Sequence, residues 1–237
     1  MNDRQLLDLT RIIRDRRATR HFKADSPPTA MLDKLLDTAR WAPSGYNLQP
    51  THFVMVTDHT TKQSLREACM GQAQITEAPV AIVFAGDTVA WRHHLEPALQ
   101  CDLEAGGINE IYAAMLRRMV PLAFSTQPLG LGWLVKAILG PRLSFVRPMP
   151  SLPAVHRRYW LAKQVALVAM NFMIIAEAAG LATCPMEGFD PRRVRGVLGI
   201  PRSVLPVLVI PVGYAATSFS ATKTRLPLQQ LLHHDRW

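Results

Sequence analysis

Between Asp3 and Arg16 the apolar residues Leu6, Leu7, Leu9, Ile12 and Ile13 recur at helical spacing, which predicts an amphipathic helix running into the basic stretch Arg14 to Arg20. After Ser26-Pro27-Pro28, the stripe Met31, Leu32, Leu35, Leu36 and Ala39 predicts a second helix, ended by Pro43-Ser44-Gly45. His52 to Thr57 reads as a short strand and Thr60 to Cys69 as a polar helix. The continuous apolar run Ala78 to Ala85 has strand length and suits a strand covered on both faces. Between Asp87 and Tyr159 the pattern weakens to helical pieces at about Leu103 to Met119 and Leu131 to Leu139. Lys163 to Leu181 then predicts a long helix, apolar on nearly all sides and so central or at an interface, with Gly180 as its cap. A short basic helix is expected around Arg192 to Leu198. Val204 to Gly213 reads as a strand whose Pro206 and Pro211 favour an edge or a strand end. The tail from Ser218 is irregular, with Leu226 and Leu228 expected to dock on another surface. No repeat, linker or low-complexity tract divides the chain, so the expectation is one α+β domain over residues 1–237.

Composition changes this picture in only a few ways. With 237 residues, 49% of them apolar and 19% charged, the chain can bury a substantial core, which excludes disordered and collagen-like classes. Its three cysteines, Cys69, Cys101 and Cys184, are too few and too scattered for a disulfide framework or a zinc site, and a reducing cytoplasm is the expected home. The first residues carry dispersed charge and lack the apolar core of a secretory signal, so they are expected to stay in the mature protein. The apolar neighbourhood Met119 to Val146 is too interrupted by Pro, Gly and cations to span a membrane. The adjacent pairs His93-His94 and His233-His234 have no third ligand at useful spacing, so they read as surface residues and no metal is assigned. A formal net charge of +9 leaves nucleic acid, an anionic membrane surface or an anionic ligand open.

Four segments narrow that choice by their order: Arg16-Arg17-Ala18-Thr19-Arg20; Ala42-Pro43-Ser44-Gly45-Tyr46-Asn47-Leu48-Gln49-Pro50; Pro185-Met186-Glu187-Gly188-Phe189 after the long helix; and Lys223-Thr224-Arg225-Leu226-Pro227. Taken singly, each has an ordinary reading: a solvated helix end, a plain turn, a helix C-terminal loop, a stray basic pair. In this order they resemble the R-R-S-x-R, A-P-S-x-x-N-x-Q-P, P-x-E-G-F and K-x-R-L-P motifs of the nitroreductase family of FMN-dependent oxidoreductases.

The resemblance implies an α+β fold with a central, mostly antiparallel sheet flanked by helices, and a homodimer built around the long helix. Arg16, Arg17, Ala18, Arg20, Lys223 and Arg225 would hold the FMN phosphate, a task suited to guanidinium forks that stay charged at any working pH. Ala18 stands where members usually have Ser, so one side-chain hydrogen bond is missing or is replaced by backbone or by Thr19. Pro43, Ser44, Gly45 and Asn47 supply small and amide groups to the flavin ring, reaching the flavin of a partner subunit. The backbone around Met186, Glu187 and Gly188 would face flavin N5, where an N–H donor stabilises the reduced, anionic ring. Gln72 and Gln74 fall at the pyrimidine edge, where some members carry Asn and Lys; the loss of positive charge there implies a lower reduction potential.

The activity implied is ping-pong hydride transfer from NADH or NADPH through FMN to nitroaromatics, quinones or activated alkenes, with no side chain as acid, base or nucleophile. Reductive dehalogenation or flavin fragmentation is the alternative within flavin chemistry. A non-catalytic basic binding protein is the alternative of another class, although the basic residues lack the aromatic interleaving of a nucleic-acid surface. Residues 88–158 form a helical excursion longer than the family pattern, read as a lid or dimer-wrapping segment. The other reading is an apolar channel or membrane-surface patch, since Arg117, Arg118, Lys136, Arg142 and Arg147 flank it.

Overall fold

The computed structural model describes residues 3–126, 131–146, 148, 153–217 and 223–237. Its helices are α1 (Asp3–Asp15), α2 (Thr29–Ala39), α3 (His59–Ala68), α4 (Gln74–Glu77), α5 (Ala90–His93), α6 (Leu95–Glu104), α7 (Glu110–Phe124), α8 (Gly132–Ser144), α9 (Arg157–Ala178) and α10 (Pro191–Leu198). Four strands, β1 (Thr51–Val56), β2 (Val80–Asp87), β3 (Ala182–Thr183) and β4 (Val204–Gly213), form one antiparallel sheet in the order β1-β2-β4-β3. This is the α+β architecture expected from the sequence.

Strand alternation sorts the core into two layers. Val80, Ile82 and Phe84 of β2, with Leu208, Ile210 and Val212 of β4, face α2 and α9. Ala81, Val83 and Val209 face the opposite layer, which includes Leu65 of α3 and Val194 of α10. Every residue of β2 is buried, as its unbroken apolar run requires. A third cluster, Leu95, Leu99, Leu116, Val120 and Phe124, joins α6 and α7 beneath Leu48.

The structure corrects several expectations. β4 is an interior strand, between β2 and the two-residue β3. Its prolines are accommodated locally: Pro206 sits at an irregularity in the register opposite Ala85, and Pro211 accepts at its carbonyl from Cys184 N, on the β3 side. A strand residue directs its amide position and its carbonyl to the same side, so the N–H missing from Pro211 costs the β2 ladder nothing. The helix expected over Leu103 to Met119 is two helices. Gly106, at φ +69°, turns the chain, and Asn109 caps α7 by accepting from Tyr112 N. α9 begins earlier than its pattern suggested, at Arg157. Its end is as expected: Gly180, at φ +76°, lets Gly180 N reach Glu177 O and Leu181 N reach Ala176 O. Leu226 and Leu228 dock on no surface of their own chain and are exposed in it. Arg147 lies outside the described residues.

α9 organises the rest. Leu161, Val165, Val168, Ala169, Phe172 and Ala176 form its buried stripe, while Tyr159, Leu167 and Met170 stay exposed on the other side. Among the described residues it is the helix whose length and mean hydropathy would also suit a membrane span, but that buried stripe is a core face. It crosses β2 at Gly86, where the absence of a Cβ leaves room for the Leu161 side chain.

Candidate functional site

The chain leaving α1 places its cations against the end of β3. Ala18 bridges Thr183, and Thr19 N donates to Thr183 O at 3.0 Å. Lys223 reaches the same place from the far end of the sequence: its Nζ donates to Ile13 O at 3.2 Å and Arg16 O at 2.8 Å, satisfying carbonyls that the end of α1 leaves open. Burial pushes the Lys223 ammonium below its ordinary pKa, and the nearby charges of Arg16, Arg225 and Arg17 push it the same way, with Glu177 opposing. Four cations thus share one place. Among the described residues, Arg16 Nη1 is buried there with no hydrogen-bond partner, as is Thr183 Oγ1. Cys184, whose thiol is pushed up by burial, feels Arg20 and Arg16 in the opposite direction. A cleft of about 400 Å³ lined by Arg17, Thr19, Glu177 and Gly180 opens alongside.

From this cluster, residues 184–188 run beside β4. Cys184 N donates to Pro211 O, and Met186 exchanges both backbone hydrogen bonds with Val209. Met186 is therefore held in place by the sheet, its side chain buried in the core. Glu187 and Gly188 emerge into solvent, and their amides donate to no group among the described residues. There Gln72 Nε2 donates to Gly188 O at 2.8 Å, and the buried Gln74 donates through Nε2 to Gln72 Oε1 at 3.0 Å. An extended path from Thr183 to Gly188 spans roughly 16 Å at about 3.3 Å per residue. Arg16, Arg17, Ala18, Arg20, Lys223 and Arg225 lie at one end of it; Gln72, Gln74, Glu187 and Gly188 lie at the other.

Pro43, Ser44, Gly45 and Asn47 do not join them within one chain. Gly45 N donates to Gln164 Oε1 at 2.7 Å near the start of α9, whereas Glu177, which feels Arg16 and Lys223, lies near its end. These two anchors lie thirteen positions apart on the helix, roughly 20 Å at about 1.5 Å each. The loop itself is tightly determined. Tyr46, Asn47 and Gln49 all have left-handed φ, at 58°, 52° and 44°. Such backbone persists only where its surroundings hold it. Here Asn47 Nδ2 donates to the Asp102 carboxylate at 3.0 Å, Gln49 N donates to Ser44 Oγ at 2.9 Å, and His94 Nδ1 lies 3.0 Å from Leu48 O. His94 is thus a half-buried loop anchor rather than the surface residue expected. A larger cavity of about 600 Å³, lined by Arg158, Arg192 and Arg195 among others, contains none of the expected site residues.

The family model described as "Nitroreductase family" matches residues 13–214. The chain belongs to the nitroreductase family. A Thermus thermophilus protein named NADH dehydrogenase is 32% identical over 228 residues, covering 96% of each chain. The Enterobacter cloacae oxygen-insensitive NAD(P)H nitroreductase is 25% identical over 236 residues, covering 95% of this chain and 99% of that one. In three dimensions the chain is similar to an Exiguobacterium sibiricum protein of nitroreductase type, solved in complex with FMN, at a TM-score of 0.72 and 22% identity, covering 96% and 97% of the two chains.

In this nitroreductase-family chain, sequence reasoning missed Asp102, Glu177, Thr183 and the anchoring role of Gln164. Gln164 carried a legible signal, since a buried amide within an otherwise apolar helix face needs a partner. Asp102 and Thr183 carried none, because each acts only through a neighbour distant in sequence.

Proposed function

We propose that this chain is an FMN-dependent NAD(P)H oxidoreductase, acting as a homodimer in the cytoplasm, that reduces nitroaromatics, quinones or activated alkenes by a ping-pong cycle. One observation carries the reading: the buried Nη1 of Arg16, without a hydrogen-bond partner among the described residues, set among Arg17, Lys223 and Arg225. A buried charged donor without an acceptor is costly, and four gathered cations repel one another; a phosphate dianion relieves both. Thr183 Oγ1 adds a second buried group without a partner at the same place.

Bound FMN would supply the centre that accepts and then donates hydride. The chain's own residues bind and orient it. Arg16, Arg17, Arg20, Lys223 and Arg225 hold the phosphate, with Ala18 leaving the backbone accessible. Gln72 and Gln74 present side-chain amides to the pyrimidine edge. The unpaired amides of Glu187 and Gly188 donate toward the reacting edge of the ring, and Met186 holds them in place through β4. Pro43, Ser44, Gly45 and Asn47, held too far along α9 to serve their own chain's cluster, serve the site of a second copy. The exposed apolar side of α9, with Leu167 and Met170, supplies surface for that pairing. Residues 1–237 form one domain, with residues 88–158 as its enlarged helical excursion.

The test is the visible spectrum of the protein after it is loaded with FMN and freed of excess, followed by anaerobic NADH or NADPH. The expected result is a yellow protein bleached by either nucleotide and recoloured by a quinone or nitroaromatic. A protein that retains no flavin overturns the reading.

A further inference from the structure

Residues 111–176 contain no Asp or Glu and eight Lys or Arg, against a formal net charge of +9 for the whole chain. The same segment holds α8, a helix of 13 residues with apolar side chains around its circumference and little of the body covering it. Trp133, Leu134, Val135, Ile138, Leu139 and Leu143 are each at least 43% exposed. Phe145 and Val146, just beyond the helix, are 91% and 80% exposed. A helix apolar all round normally lies in a protein core or in lipid, and α8 does not lie in this core. At roughly 20 Å it is too short to cross the ~30 Å hydrocarbon layer but has the length of an interfacial segment.

Charge decides which occupant suits it. Arg117 is neutralised by Glu96 and Glu110, at 2.7 Å and 3.5 Å. Lys136 is tied inward, its Nζ donating to Leu122 O and Ser125 O, which fixes α8 against the end of α7. Arg142, on α8 itself, and Arg118, on the helix α7 to which Lys136 ties it, remain exposed. Nucleic acid would supply negative charge but leave the six apolar side chains of α8 unused. An anionic bilayer surface matches both, taking the cations at its headgroups and the apolar side chains beneath them.

We infer that α8 and the Phe145-Val146 turn dock this protein on the surface of anionic phospholipid membranes. Sedimentation of the full chain with vesicles tests it, using phosphatidylcholine alone and phosphatidylcholine mixed with phosphatidylglycerol in roughly equal parts. The expected result is co-sedimentation with the anionic vesicles only, falling as salt rises. Leu139→Asp with Phe145→Ser, and separately Arg118→Glu with Arg142→Glu, should each lower the bound fraction about tenfold or more. These side chains are exposed, so circular dichroism should show unchanged folding. Anionic vesicles should also blue-shift the tryptophan emission, and Trp133→Phe should abolish that shift.

Three outcomes overturn the inference: no binding to anionic vesicles, equal binding by parent and variants, or conversion of a dimer to a monomer by Leu139→Asp, which would make α8 a subunit interface. The readout needs no turnover, so it stands apart from the flavin reading.

Discussion

Gln72 and Gly188, 116 residues apart in sequence, meet through a 2.8 Å hydrogen bond from the Gln72 side-chain amide to the Gly188 carbonyl. A Cβ placed on Gly188 would lie 3.1 Å from Gln72 Nε2, and no backbone atom stands in its way. Gly188→Val should therefore displace the Gln72 side chain while leaving the thermal midpoint nearly unchanged. If this is the pyrimidine edge of a flavin site, FMN affinity should fall about tenfold, equivalent to about 1.4 kcal/mol. Titration of FMN by fluorescence quenching checks this, and an unchanged affinity would remove the pair from the site.

Arg16→Ala removes a guanidinium whose buried Nη1 has no partner among the described residues. A charge-assisted hydrogen bond is worth about 1.5–3 kcal/mol, so the dissociation constant for FMN should rise by roughly 10- to 100-fold. Without FMN, the same variant should lose little stability, because Nη1 makes no hydrogen bond to the described residues. A variant that keeps parental FMN affinity would refute the phosphate assignment.

Glu177 gives a pH signature. Burial raises its carboxyl above the ordinary value of 4.5, with Asp15 acting in the same direction and Arg16 and Lys223 opposing. The folded state therefore holds this proton more tightly than the unfolded chain does. The contribution to stability is fully present below the ordinary carboxyl range and is lost as pH rises from about 4.5 through the raised folded value. Glu177→Gln should abolish that decline, so the variant should gain on the parent above this window. Melting curves of both proteins across the acid range measure it; parallel curves would contradict it.

Gly86 tests how tightly α9 sits on the sheet. A Cβ there would overlap Leu161 Cγ and lie 2.7 Å from both of its terminal carbons. Overpacking of this kind costs about 1–3 kcal/mol, so Gly86→Ala should lower the unfolding free energy by that amount, seen as a fall in the denaturant midpoint. Leu161→Ala in the same background should recover part of the loss, since the two changes share one contact.

The long periodic elements were legible because local pattern and tertiary burial agree in them. The stripe of α2 faces the core, and the run in β2 is buried on both sides because both layers need it. β3 was not legible: two residues, Ala182 and Thr183, are strand only because β4 pairs with them. The break between α6 and α7 was missed because Gly106-Gly107 lies inside a stretch whose apolar residues still recur at helical spacing. At the site, residue types announced the chemistry, but geometry split the expected set. The cations and Gly188 share one stretch beside β4, and the Gly45 to Asn47 loop is held elsewhere by Gln164 and Asp102.

By itself the amino-acid order determined the α+β class, the two-sided burial of β2, the long apolar helix and the basic and amide residues fit for an anionic, ring-bearing ligand. These are properties of residue type and spacing, carried by side-chain periodicity over a few turns or strands. Only the tertiary structure decided that Lys223 closes the end of α1 across 207 residues of sequence, that Arg16 Nη1 is buried without a partner among the described residues, and that the loop at Gly45 stands apart from both. Each is a contact between segments distant in the chain, where distance and direction matter and spacing along the sequence carries no information about either.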